Sequence, residues 1–185
     1  MAKKKKKNRK SKVKKLQPLS LREVADAVCK IKSANFLELD KLSAPMVKNQ
    51  PHLCGTIAGL KLDGVTPEHI GHAWHLLLIC YYACGGDKLP MLTMEENISR
   101  ALKTVAQMIL YMDDEKDEKV FKETAMSHPE VNLFAYVMGY LKENNIIGKA
   151  NSEYHTVLAV NTALQSLYQA RKKLFVFKYL TKKRT

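Results

Sequence analysis

Residues 66–86 constrain this chain more than any other stretch. Thr66-Pro67-Glu68 has the order of a helix start: a capping hydroxyl, a proline whose missing N–H is not needed in the first turn, and an acid at the positive end of the helix dipole. Gly85-Gly86 supplies the stop, because glycine reaches the positive φ of a helix C-terminus without strain. Between these marks Ile70, Trp74, Leu77, Leu78 and Tyr81 fall on one face, and Leu76, Ile79 and Tyr82 cover much of the other. A helix that is apolar all round has to be surrounded. The remainder is therefore expected to pack around it, with Trp74, Leu77, Leu78 and Tyr81 buried.

The flanking segments also read as helices. Ser20 and Glu23 have capping-box spacing, followed by Leu21, Val24, Val28 and Ile31 at helical intervals. A short helix is expected over Phe36 to Leu42, with Pro45 as an interruption. Pro51 opens another, with Leu53, Ile57 and Leu60 on its apolar face and Asp63-Gly64 as its end. Thr93 and Glu96 repeat the capping-box spacing ahead of Ile98, Leu102, Val105, Ile109 and Met112, the clearest amphipathic pattern in the chain. Asp113 to Glu118 reads as a charged, solvated loop running into a short helix up to Met126. Pro129-Glu130 opens a helix lined by Phe134, Val137, Met138 and Leu141 that closes at Asn144-Asn145. Asn151 or Ser152 caps a long last helix whose core face, Val157, Val160, Leu164 and Leu167, reaches about Arg171. From Leu174 to Leu180 the periodicity does not separate continued helix from an extended segment.

The expected fold class is all-α, a compact multi-helix bundle of about six to eight helices. It occupies residues 19–180 as one domain, between a disordered basic tail at 1–18 and a basic tail at 181–185. Two similar helix-pair halves are an alternative description. Pro51 to the glycine pair and Pro129 to Ala170 each run short helix, loop, long helix, with Gly59-Leu60 and Gly139-Tyr140 at similar points. Identity is otherwise low, and any helical bundle shows helix–loop–helix twice.

Charge is segregated. The net charge is +13, but residues 1–15 hold ten Lys or Arg and residues 171–185 hold seven, with no acid in either. Removing those seventeen from the total of 31 leaves 14 basic against 18 acidic residues, a net of −4 for the middle. A basic tail on an acidic body attracts polyanions without a shaped groove. The candidate nucleic-acid-binding residues are Lys3, Lys4, Lys5, Lys6, Lys7, Arg9, Lys10, Lys12, Lys14 and Lys15 at one end, and Arg171, Lys172, Lys173 and Lys178 at the other. The second group is interleaved with Phe175, Phe177 and Tyr179, a mixture suited to base stacking, a membrane surface or a partner groove. The plainer reading of both ends is a solubilising or nuclear-targeting tail, or one folded back on Asp113 to Glu118.

Few signals of catalysis or metal binding appear. His69, His72 and His75 stand three residues apart on the central helix, where imidazole could ligate zinc, copper or iron. Each such step turns about 60° backward, so His69 and His75 stand about 120° apart and do not readily share an ion. There is no HExxH, no di-iron Glu-x-x-His, no Gly-x-Ser-x-Gly and no phosphate loop. Cys29, Cys54, Cys80 and Cys84 include no CxxC and read as reduced thiols, and for Cys80 and Cys84, one helical turn apart, buried packing outweighs a metal pair. His52 and His128 each adjoin a proline at a helix start, where packing or capping outweighs anion binding. Glu95-Glu96 and Asp113-Asp114 read as solvated acids at helix ends. No apolar run is long enough to span a membrane, and no apolar segment follows the basic N-terminus as in a secretory signal.

The expectation is a cytoplasmic protein, or a nuclear one in a eukaryote. It would be a non-enzymatic helical binding or adaptor protein without cofactor, whose core meets an unknown protein partner and whose tails contact RNA, DNA or the ribosome. One rival is a metal-binding or enzymatic protein built on the histidine helix. Another is a stand-alone structural or regulatory subunit with solubilising tails.

Overall fold

The computed structural model describes residues 15–114, 123, 125–148 and 150–181. Among these there is no strand, and seven α-helices carry the fold: α1 (Leu21–Lys32), α2 (Phe36–Asn49), α3 (Pro51–Gly59), α4 (Pro67–Cys84), α5 (Ser99–Asp114), α6 (Val131–Glu143) and α7 (Asn151–Thr181).

α4 forms where its punctuation directs and lies at the centre. The Thr66 hydroxyl accepts from the His69 N–H at 3.3 Å, Pro67 takes the first turn, and Gly85 and Gly86 close the helix at φ 131° and 57°. Ala73, Leu76, Leu77, Leu78, Ile79, Cys80 and Tyr81 are all buried. α1, α2, α3, α6 and α7 pack against it, while α5 is held on the outside by α7. Trp74 departs from the expected burial. It is only partly buried, because it faces α2 beside Gly71, a residue with no side chain and open space above it. Trp74 therefore lines a groove with Phe36, Leu39 and Leu78 instead of filling the core.

Other boundaries also move. α2 does not stop before Pro45 but runs through it to Asn49. The proline withholds one hydrogen bond, the one to Lys41, while Met46, fully buried, ties the following turn to the core. Gln50, also fully buried, joins α2 to α3 and pins the loop beyond α4. Its amide nitrogen donates to the Pro90 carbonyl at 3.0 Å, and its oxygen accepts from the Leu92 N–H at 3.1 Å. The spacing of Thr93 and Glu96 does not produce a capping box. Met94–Ile98 is a turn of π-helix, and the Asn97 side-chain oxygen accepts from the Thr93 N–H instead. α7 starts at Asn151, with Glu153 reaching back to accept from the Ala150 N–H at 3.1 Å.

Beyond Arg171 the chain stays helical, and α7 continues to Thr181. Leu174 is partly buried over the Gly85 turn, and that packing supports last turns that would fray on their own. The two short-then-long helix pairs exist as α3–α4 and α6–α7. Gly59 is the last residue of α3 whereas Gly139 lies inside α6, so the two glycines are not equivalent. Asp113 and Asp114, expected to begin a loop, are instead the last residues of α5, while residues 115–118 of that loop and most of the short helix after it fall outside the described residues. No helix among the described residues is long and apolar enough to cross a membrane.

Candidate functional site

The basic stretch of α7 begins at a buried ion pair. Arg171 meets the Glu130 carboxylate, and the same guanidinium nitrogen donates to the Gln17 carbonyl at 3.0 Å. The other Glu130 oxygen accepts from the Leu19 N–H at 2.7 Å, and Asn132 donates to the Leu19 carbonyl at 2.7 Å. Leu19 itself is buried. The extended segment before α1 is thus strapped at three backbone atoms to the start of α6 and the middle of α7. Burial pushes the Glu130 carboxyl up, against the opposing pull of the Leu19 N–H and of Arg171.

The strap holds Gln17, within the 1–18 stretch expected to be disordered, against the start of the basic stretch of α7. Lys15 is exposed and stands two residues before Gln17. Lys3, Lys4, Lys5, Lys6, Lys7, Arg9, Lys10, Lys12 and Lys14 fall outside the described residues, as does the disorder expected for their segment. Lys178 is seven residues along α7 from Arg171, about 10 Å of helix. Lys172, Lys173 and Lys178 are exposed, with Val176 and Phe177 among them, Phe177 at 66% exposure. Arg171 differs from its neighbours: its charge is spent on Glu130 and Gln17 inside the fold.

His69 contacts Ser152, whereas His72 and His75 both contact Tyr140. His69 Nδ1 lies 2.9 Å from the Ser152 hydroxyl, and His72 Nδ1 lies 2.9 Å from the Tyr140 hydroxyl. The His75 ring stacks on Tyr140 with centroids 5.5 Å apart, and burial pushes its pKa down, helped by Lys32 and His72. Each imidazole serves a helix–helix contact of α4, and no group of three or more His, Cys, Asp or Glu suited to a metal occurs among the described residues. His128 caps and packs. Its Nδ1 accepts from the Glu130 N–H at 3.1 Å, its ring stacks on Phe134 at 4.7 Å, and burial pushes its pKa down. Its proton therefore sits on Nε2. Cys54, Cys80 and Cys84 are buried free thiols, with Cys54 pushed up to about 11 and Cys80 to about 12 by desolvation.

Glu130, Gln17 and Asn132 are site-forming residues that the sequence pattern did not mark. Glu130 has the look of an ordinary first-turn acid after proline, and nothing in the local pattern points to a partner 41 residues away. The chain matches no protein-family model, no curated protein and no solved structure, so the site alone bears on its function.

Proposed function

We propose that this chain is a non-enzymatic helical protein that binds nucleic acid as a polyanion, through one locus built from both of its basic ends. The observation that carries this reading is the contact of Arg171 with Gln17. It fixes Gln17, which follows the N-terminal lysines in sequence, at the start of the basic end of α7, and on this reading the two segments act as one concentration of positive charge. Neutralising phosphates releases condensed counterions, and that release supplies affinity without requiring a preformed groove. Joining the two segments raises the effective concentration of each for a strand already held by the other. The histidine helix supports the rival metal reading less well, since its imidazoles are engaged by Ser152 and Tyr140 and no cluster of three or more His, Cys, Asp or Glu suited to a metal occurs among the described residues.

The test is binding of the full chain to a labelled DNA duplex across a salt series. If about six cations engage phosphates, affinity falls on the order of a thousandfold between 50 and 200 mM salt. Absence of binding at low salt, or affinity indifferent to salt, would overturn the reading.

A further inference from the structure

Two recesses lie in the seam between α5 and α7, a third continues from them along α7 alone, and neighbouring recesses share walls. Thr104 and Gln165 line both the recess beside His128 and Asn161 and the middle one, which also holds Arg100 and Glu96. Gln169 and Lys173 line both the middle recess and the one that ends at Lys172, Val176 and Phe177. The α5 positions fall as the α7 positions rise across the first two recesses, so the helices are antiparallel there, and the walls shared at Gln169 and Lys173 extend the groove onto the open face of α7. From Asn161 to Phe177 it covers sixteen residues of α7, about 24 Å. Volumes of 250, 280 and 440 Å³ make each recess small. A row of small linked recesses suits a linear polymer with repeating units better than one compact ligand.

The lining has the three components such a polymer needs if it is a nucleic acid. Arg100, Lys172 and Lys173 outnumber the single carboxylate of Glu96, and none of these cations has an ion-pair partner among the described residues. Gln165 and Gln169, both half-buried, can donate and accept toward base edges. The Thr104 hydroxyl donates to the Arg100 carbonyl at 3.0 Å and keeps lone pairs facing the groove free to accept. Phe177 offers an exposed ring at the basic mouth, and a ring can stack only on a base that is not already stacked within a duplex.

We infer that the α5–α7 groove binds a single strand of nucleic acid in preference to duplex. This rests on the polyanion reading and adds the form of the ligand. The tails supply charge without regard to form, and the groove supplies the preference.

The test compares full-length protein on a labelled oligothymidine of roughly a dozen nucleotides and on a duplex of the same length. Phe177→Ala is expected to weaken single-strand binding about tenfold while leaving duplex binding unchanged. Phe177→Tyr, which keeps the ring, should retain the affinity. Arg100→Ala should weaken single-strand binding, whereas Lys41→Ala, which removes the same charge from α2 outside the groove, should not. Phe177 and Arg100 are both exposed, and circular dichroism checks that the variants fold. If the protein binds nucleic acid but Phe177→Ala and Arg100→Ala change neither form, or both forms equally, the groove is not the site and the tails act alone. If an acidic extended peptide binds and is weakened by these substitutions while oligothymidine is not, the groove serves a protein and the inference fails. Binding to neither nucleic acid defeats the polyanion reading itself.

Discussion

The guanidinium of Arg171 holds the carbonyl of Gln17 at 3.0 Å, across 154 positions of sequence, while paired with buried Glu130. One arginine thereby joins the chain's entry into the fold to the helix that ends it. A buried ion pair is a weak source of net stability, but removing one partner strands the other charge in a dry site. Arg171→Met is therefore expected to cost about 3–5 kcal/mol, measured by chemical denaturation. The double change Glu130→Leu with Arg171→Met should recover part of that loss, since apolar side chains need no counter-charge, while the buried Leu19 N–H is left without its acceptor. A single change that costs nothing would mean the pair is solvated in solution.

Acidification should weaken the fold through His128 and His75. Burial lowers both pKa values below the ordinary histidine range. The folded state keeps these imidazoles neutral at a pH where the unfolded chain protonates them, so the unfolded state binds more protons and stability rises with pH. The stability is fully present above the ordinary histidine pKa and is lost as pH falls from there toward the folded values, by at most about 1.4 kcal/mol per pH unit for each histidine. Glu130 works in the opposite sense. Its raised carboxyl takes a proton in the fold first, which eases the loss at the acid end. The glutamine of His128→Gln does not titrate, so denaturation at pH 7.5 and 5.5 should show a shallower dependence for this variant. An identical slope would mean His128 is hydrated.

Trp74 and Leu77 should separate in the reverse order of their size. Leu77 is 1% exposed at the centre of α4, and Leu77→Ala is expected to cost about 2–5 kcal/mol. Trp74 is only partly buried beside Gly71, so Trp74→Ala should fall well below the roughly 3–5 kcal/mol typical of an emptied aromatic core site. A larger loss for Trp74 would show that α2 closes over it in solution.

These cases also show what local pattern could reveal. Helix α4 announced itself because each of its signals, Thr66, Pro67, the all-round apolar surface and Gly85, acts within a few residues. The capping box of Ser20 and Glu23 was legible for the same reason. Pro45 misled because the lost hydrogen bond is local while the burial of Met46 that carries the helix past it is tertiary. Trp74 misled because periodicity names the face but not the neighbour, and at Gly71 the neighbour leaves space. The basic ends could be read as charge, yet the link between Leu19 and α7 depends on Glu130 reaching both Leu19 and Arg171, and no spacing rule encodes that. The α5–α7 groove was hidden likewise, because Arg100 and Gln169 become neighbours only once the two helices lie antiparallel.

The most direct measurement is the salt dependence of duplex binding for three proteins: the full chain, a form lacking residues 1–15, and a variant with Lys172, Lys173 and Lys178 all changed to Ala. The deletion keeps Gln17 and Leu19, so the strap and the thermal stability should be nearly unchanged. With about six cations engaged, the full chain should give a log–log slope near −5. If the two ends act as one locus, both altered proteins should give flatter slopes, the deletion the more so for its ten cations. Sequence preference should be slight in all three, since flexible lysines read phosphates and not base edges. Slopes and affinities that stay the same in both altered proteins would contradict the proposal that the converged basic ends are the binding site.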